Sequence, residues 1–185
     1  MNNSIIAGIV TFNPDIDRLV RNVNSIKNQV DQVVLVDNGS NEMEMILSLL
    51  NDDEKVVFIC NDANVGIATA LNQVCQWACD RGYRWCITLD QDSVCPIDYV
   101  NQVSELLDSD ELIGQIVPLL FESKSMKYCY LGCKPNGAKF QEVHRSITSA
   151  SITKIDAWNE VGKFDDDLFI DYVDYDFNVR LIKAS

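Results

Sequence analysis

Asp90 and Asp92 place two carboxylates one residue apart, directly after the apolar run Trp85 to Leu89 and ahead of Pro96. A short apolar run of this kind reads as a buried strand, so both acids fall where it opens into a loop. Carboxylates in that arrangement can reach one hard divalent cation that keeps open positions for phosphate oxygens, the usual way Mg2+ or Mn2+ meets a nucleotide. A plainer role competes: Asp92 or Ser93 could cap a helix that Pro96 helps to start. Spacing alone leaves both open.

A second acidic group, Asp171, Asp174 and Asp176, stands at the start of a predicted helix from Val173 to Ala184, where the helix dipole favours negative charge. His144 is the single histidine. It lies in an irregular stretch with no motif around it, which suits a surface loop better than acid-base or metal work. The seven cysteines are an odd number in a chain with no export signal, so reduced, mostly buried thiols are expected. Cys75 and Cys79, like Cys129 and Cys133, are four apart, but one histidine completes no zinc-finger spacing.

The elements that position these acids are legible from periodicity. Ser4 to Val10, Val33 to Val36, Val56 to Cys60 and Trp85 to Leu89 are apolar throughout, as buried parallel strands are. Between them, Ile16, Leu19, Val20, Val23 and Ile26 share a helical face, with Asn13 as candidate cap and Pro14 at the first helical position. Ile46, Leu47 and Leu50 mark a short helix, and Ile67, Leu71, Val74, Cys75 and Ala78 mark a longer one ending at Gly82. Strand and helix thus alternate four times, which predicts an α/β fold with a mostly parallel sheet covered on both faces. Right-handed crossovers gather the strands' carboxyl ends on one edge, where ligands of open α/β sheets bind. After a helix near Ile97 to Leu107 and a strand from Ile113 to Leu119, the alternation stops. Residues 120 to 150 read as hairpins or a long loop over the same edge, and Trp158 to Gly162 as one helical turn.

Length and composition agree. At 185 residues, 47% hydrophobic and 23% charged, the chain is expected to form one domain, residues 1–185, with a full core. The formal charge of −13 argues against a nucleic-acid partner, because the field repels a polyanion. A phosphate ligand must then be met locally, by a metal or by backbone amides. The apolar runs are strand-sized rather than membrane-spanning and the N-terminus lacks signal-peptide character, so a cytoplasmic chain without a transmembrane segment is expected.

Five ordered pieces together resemble an inverting glycosyltransferase of family 2, similar to its bacterial rhamnosyltransferase-like members. They are Ile9-Val10-Thr11-Phe12-Asn13-Pro14, Val36-Asp37-Asn38-Gly39-Ser40, Asn64-Val65-Gly66-Ile67-Ala68 with Asn72, Leu89-Asp90-Gln91-Asp92-Ser93, and Gly162-Lys163-Phe164-Asp165 running on through Leu168 to Asp174. The resemblance implies the GT-A fold, a Rossmann-like sheet of the nucleotide-diphospho-sugar transferase type, with a nucleotide-sugar-binding half at 1–95 and an acceptor-side half at 96–185. It also implies roles. Thr11, Phe12, Asn13 and Asp37 would form the nucleobase and ribose pocket, Asp37 accepting the imide N–H of uracil or thymine. An Asx turn is the plainer role for Asp37. Asn64 and Gly66 would line the donor site, with helix capping as their alternative.

Asp90 and Asp92 match the family's DxD motif, Asp92 as ligand of Mg2+ or Mn2+ and Asp90 contacting ribose or metal-bound water. Asp174 stands where the family keeps its catalytic base, although Val173 precedes it where an acid is usual, which leaves Asp171 and Asp176 as rivals. Trp77 and Trp85 are expected in the core, whereas Trp158 or Tyr172 could stack on a sugar. The partners implied are a nucleotide-sugar donor, dTDP-rhamnose or a UDP-sugar, and a glycan or lipid-linked glycan acceptor. A lipid-linked acceptor would bring the protein to the inner face of the membrane as a peripheral enzyme. Relatives of this type continue past the equivalent of Ser185, so an incomplete acceptor half is expected. The alternative is a shortened, non-catalytic module that binds nucleotide sugar or a partner protein.

Overall fold

The computed structural model describes residues 4–50, 52–109, 112–122, 125–129 and 137–184. Its centre is a six-stranded sheet that begins with β1 (Ile5–Thr11), β2 (Gln32–Asp37), β3 (Val56–Cys60) and β4 (Trp85–Asp90), all parallel. β8 (Ser151–Lys154) adds to β4 antiparallel, and the two-residue β5 (Gln115–Ile116) closes the order β3-β2-β1-β4-β8-β5. A separate hairpin pairs β6 (Leu120–Glu122) with β7 (Lys127–Cys129).

Alternate strand residues feed two cores. On one face Ile5, Ala7, Ile9, Leu35, Ile87 and Leu89 pack against α1 (Ile16–Ile26), α2 (Met43–Leu50) and α4 (Tyr99–Gln102) with α5 (Ser104–Ser109). On the other, Ile6, Val10, Val34, Val36 and Cys86 meet α3 (Ile67–Asp80), α6 (Ile155–Glu160) and α7 (Val173–Ala184). α3 lies very close to the sheet. A Cβ on Gly8 would stand 2.2 Å from a Val74 methyl, so only glycine permits that approach.

Several expected boundaries change. The cap of α1 is Asp15, whose side chain accepts from the Arg18 N–H; Asn13 has φ 46°, outside the extended conformation a cap adopts. The helix expected over Ile97 to Leu107 is broken at Val103, whose N–H closes a three-residue turn onto Val100. The strand expected from Ile113 to Leu119 keeps only two paired residues, and Pro118 has no N–H with which to extend the ladder. The single turn at Trp158 to Gly162 is a helix from Ile155 to Glu160. β8 runs against its neighbours, whereas β5, antiparallel to β8, points the same way as β1 to β4 and shares their carboxyl edge. Of the expected loop over residues 120 to 150, the span 130–136, with Cys133, lies outside the described residues.

Candidate active site

β4 delivers Asp90 to the edge opposite Val10 of β1. The Asn22 carboxamide, fully buried on α1, donates to the Asp90 carbonyl at 2.6 Å and fixes where the strand ends. Ser93 closes the turn from the other side, its N–H meeting the same carbonyl at 3.1 Å. Part of Asp90 is open to solvent, yet its carboxyl is hemmed in by the strand ends. That desolvation lifts its pKa above the ordinary carboxylate value; a hydroxyl bond from Ser149 opposes the shift, and the charges of Asp92 and Asp174 add to it. Three carboxylates from β4, the following turn and α7 therefore share one electrostatic neighbourhood.

Ser149 is itself held. Its hydroxyl lies 2.8 Å from the Ser93 hydroxyl, and the Tyr99 hydroxyl donates to the carbonyl of the next residue, Ala150, at a positive φ of 57°. Asp92 faces outward, and Arg18 of α1 sits 3.5 Å from it, both side chains about half exposed. Neither Asp92 nor Ser93 caps a helix, since α4 begins at Tyr99 with Asp98 at its N-cap.

Between β1, β4 and the start of α3 lies a cavity of about 290 Å³. Thr11, Phe12, Asn64, Gly66 and Asp90 line it together with Asn38, Gln91, Phe169 and Ile170. Asn13, Asp37 and Asp92 do not. Asn13 instead ties two loops, its N–H donating to the Ser40 hydroxyl and its side chain accepting from Asn41 N–H. Asp37 is 1% exposed and forms the Asx turn: one oxygen accepts from Gly39 and Ser40 N–H, the other from the Thr11 hydroxyl at 3.2 Å. Gln91, between the two acids, accepts the Phe12 N–H at 2.9 Å and so links β1's end to the acidic turn.

Asn38, which its sequence context marks only as part of a turn, is a hub. Its amide donates to Asn64 and to the Gly66 carbonyl, while its oxygen accepts from Asn61 and Val65 N–H. Asn64 serves this loop rather than capping α3, accepting also from Gly66 N–H at 3.0 Å. Gly66 has φ 87°, and a Cβ there would lie 2.8 Å from the Phe169 carbonyl, so backbone meets backbone across this end of the cavity.

Among the acids of α7, Asp176 is committed to Arg180, at 2.6 and 2.9 Å. Asp174 is half-buried in the first turn, accepts from Tyr175 N–H at 2.7 Å and acts electrostatically on Asp90. Asp171 is exposed. Trp158, expected as a sugar platform, is fully buried, because Ile155 and Trp158 share the inward face of α6; Tyr172 is 72% exposed. Trp85 is buried as expected, and Trp77 is half-buried between Tyr83 and the Arg81 guanidinium. His144 is exposed. A larger groove of about 440 Å³ runs along the outer side of α3, past Gln73, Trp77 and Arg81. It touches none of Asp90, Asp92 and Asp174, whereas Asp90 lines the smaller cavity, so chemistry rather than size selects the latter.

The acids suit a divalent cation that brings its own partners. Among the described residues no group of three or more ligating side chains closes around a common point. Two carboxylates of the strand-end turn, with crowding that disfavours a third bare charge, match an ion whose other ligands are water and phosphate.

An α/β sheet with its acids at the parallel strands' carboxyl edge is the layout of a nucleotide-sugar transferase of the GT-A type. Solved structures share it. The chain overlays GalNAc-T7, crystallised with UDP, GalNAc and Mn2+, with a TM-score of 0.77 and 16% identity, covering 96% of this chain and 40% of that one. It overlays TarS 1-349 of S. aureus with a TM-score of 0.68 and 14% identity, covering 96% and 55%. Identities this low speak for the fold alone. Residues 6–147 match the family described as "Glycosyl transferase family 2", and the chain belongs to that family. It is also 32% identical to the dTDP-rhamnosyl transferase RfbF of Shigella flexneri over 195 residues, spanning 98% of this chain and 64% of that protein.

Proposed function

We propose that this chain transfers a hexosyl group from a nucleotide-diphosphate donor, rhamnose from dTDP-rhamnose or else the sugar of a UDP-sugar, to a polysaccharide or lipid-linked glycan, with inversion at the anomeric carbon. The observation that carries the reading is that Asp90, at the carboxyl end of β4, lines a cavity at the edge of the sheet, with Asp92 in the turn that follows and the charge of Asp174 acting on it. The 32% identity to a dTDP-rhamnosyl transferase supports the choice of donor.

Thr11, Phe12, Asn64 and Gly66 enclose the nucleoside, with Asn13 shaping the neighbouring loop. Asp37 meets the imide N–H through the oxygen that holds only the Thr11 hydroxyl, so the Asx turn and base recognition use different lone pairs. Asp90 contacts ribose or metal-bound water. Asp92, now beside Arg18, is the residue that would hold Mg2+ or Mn2+. Such an ion, when bound, would offset the negative charge that grows on the departing nucleoside diphosphate. Asp174 takes the proton of the acceptor hydroxyl as that oxygen bonds to the anomeric carbon, and the bond to the diphosphate breaks on the opposite face. Asp176 is the poorer base because Arg180 holds its proton-accepting oxygen.

On this reading residues 1–95 form the donor half and 96–185 the acceptor side. Among the described residues no helix is long and apolar enough to cross a membrane. A cytoplasmic enzyme that meets a lipid-linked acceptor at the inner membrane face fits the reading.

Thermal-shift screening of nucleotide sugars with and without Mn2+ tests it, because a ligand that binds only the folded chain stabilises by mass action. The expected result is stabilisation by dTDP-rhamnose or a UDP-sugar that requires Mn2+. No shift with any nucleotide sugar would overturn the reading. Binding without any sugar transfer would instead favour the non-catalytic module.

A further inference from the structure

We infer that Asn72 is a positioning residue for the transfer: its carboxamide fixes residues 164–168 on α3, and through them the cavity wall at Phe169 and the approach to Asp174. Its consequence for turnover rests on the sugar-transfer reading above; its consequence for the loop does not.

Gly66, Thr69, Asn72 and Gln76 recur at three- and four-residue spacing, so they form one stripe along α3. The segment from Lys163 to Phe169 runs antiparallel along that stripe. Lys163 donates to Gln76 at 2.8 Å, Asp166 accepts from Thr69 at 3.0 Å, and the Phe169 carbonyl accepts from Ile67 N–H at 2.7 Å. Asn72 is the centre. Its NH2 donates to the Phe164 carbonyl at 2.8 Å and to Asp166 at 2.9 Å; its oxygen accepts from Phe164 N–H at 3.0 Å and from the buried Trp158 indole at 3.1 Å. A carboxamide offers two donors and two acceptor sites, so all of its capacity is used, three bonds on this segment and the fourth on Trp158 of α6.

The other faces of α3 explain why this is positioning rather than support of the fold. Ala68, Leu71, Val74, Cys75 and Ala78 bury the helix against the sheet without Asn72. The loop has little freedom to be placed otherwise, because at Gly66 even a methyl group would collide with Phe169. Five residues beyond Phe169 comes Asp174, so an error in seating the loop is carried to the carboxylate at the start of α7.

The test compares the unmodified chain with Asn72→Asp, with the double variant Asn72→Asp/Asp166→Asn, with Asp166→Ala and with Thr69→Val. Asn72→Asp keeps both acceptors but loses both donors and sets a second carboxylate against Asp166. The double variant restores a donor–acceptor pair with the roles exchanged. Amide hydrogen exchange at Ile67 and across 164–169 is expected to rise about tenfold or more in Asn72→Asp and to return most of the way in the double variant. With Mn2+ present, hydrolysis of dTDP-rhamnose is expected to lose about tenfold in kcat in Asn72→Asp, with donor KM within about threefold, and to recover in the double variant. Unchanged exchange in Asn72→Asp, or a double variant as impaired as the single one, would overturn the inference. Should Asn72→Asp fail to fold, Asp166→Ala removes the exposed partner of both Asn72 and Thr69, and Thr69→Val removes the Thr69 bond alone; exchange at 164–168 looser in Asp166→Ala than in Thr69→Val supports the inference, and equal exchange in the two overturns it. No hydrolysis by the unmodified chain would count against the sugar-transfer reading alone, and the exchange comparison would then decide the seating of the loop.

Discussion

The two halves of the sheet are built differently. β1 to β4 are parallel, five to seven residues long, and their carboxyl ends are tied by carboxamides: Asn22 to Asp90, Asn38 to the 61–66 loop, Gln91 to Phe12. The part after residue 96 has a two-residue strand, a four-residue antiparallel strand and a detached hairpin. It also presents Phe121, Tyr128, Phe169, Ile170 and Tyr172 to solvent. The first region is preorganised at its strand ends, where Asn22 Nδ2, Asn38, Asp37 and Gln91 are paired, although Asn22 Oδ1, Gln32 Oε1 and Trp85 Nε1 have no partner among the described residues. The second is a surface on which apolar groups stay exposed, Phe121 edge-on to Tyr128 and Tyr172 edge-on to Tyr175. A site that must hold one charged donor profits from the former, because donors fixed before binding need no reordering.

The sharpest way to break this contrast is to alter chemistry on the second side alone. Asp174→Asn is expected to lower transfer by about a hundredfold to ten-thousandfold while nucleotide affinity in calorimetry stays unchanged. A loss of nucleotide binding in that variant would place Asp174 with the first region instead. Next in size is Gly66→Ala, which forces a side chain into a φ of 87° and against Phe169 at 2.8 Å. A cost of about 1–3 kcal/mol in urea unfolding is expected, with weaker nucleotide binding. Arg18→Gln should leave stability almost unchanged, since the pair with Asp92 is half exposed. It should tighten Mn2+ binding by up to about fivefold, read from the paramagnetic resonance of free Mn2+, by removing a competing cation worth ~0.2–1 kcal/mol.

The smallest effect lies far from the site. The Lys27 ammonium, 2.7 Å from Asp53, and then the Lys55 N–H hold the Asp53 carboxyl below its ordinary range. A depressed carboxylate contributes stability above its unfolded pKa, and the contribution fades as pH falls through the folded value. Lys27→Met should therefore be less stable than the parent at pH 7, with the gap closing in acid unfolding curves. A gap that persists at low pH would assign the loss to packing.

Most of this architecture was legible because its signals are local. β3 from Val56 to Cys60 and α7 from Val173 to Ala184 stand at the bounds that periodicity predicted. The acidic pair was legible for the same reason, as a strand running out into carboxylates. What spacing could not reveal are partners far apart in the chain. Asn22 reaches Asp90 across 68 residues and Asn72 reaches Phe164 across 92. A signal for Asn22 was nonetheless present, a polar residue among Leu19, Val23 and Ile26 on the buried stripe of α1. The cap of α1 was misplaced because Asn13-Pro14 has the composition of a helix start, whereas the backbone at Asn13 is left-handed and Asp15 is extended. Trp158 beside a proposed acceptor invites a sugar-stacking role, but Ile155, three residues earlier, marks the inward face of its helix and Trp158 shares it.

Isothermal titration of dTDP into the unmodified chain and into Asp92→Ala, each with and without Mn2+, tests the central claim most directly. The unmodified chain should bind dTDP at least about tenfold more tightly with Mn2+ than without it, and Asp92→Ala should bind at the metal-free level in both conditions. Equal, Mn2+-dependent binding by the two proteins would contradict the account.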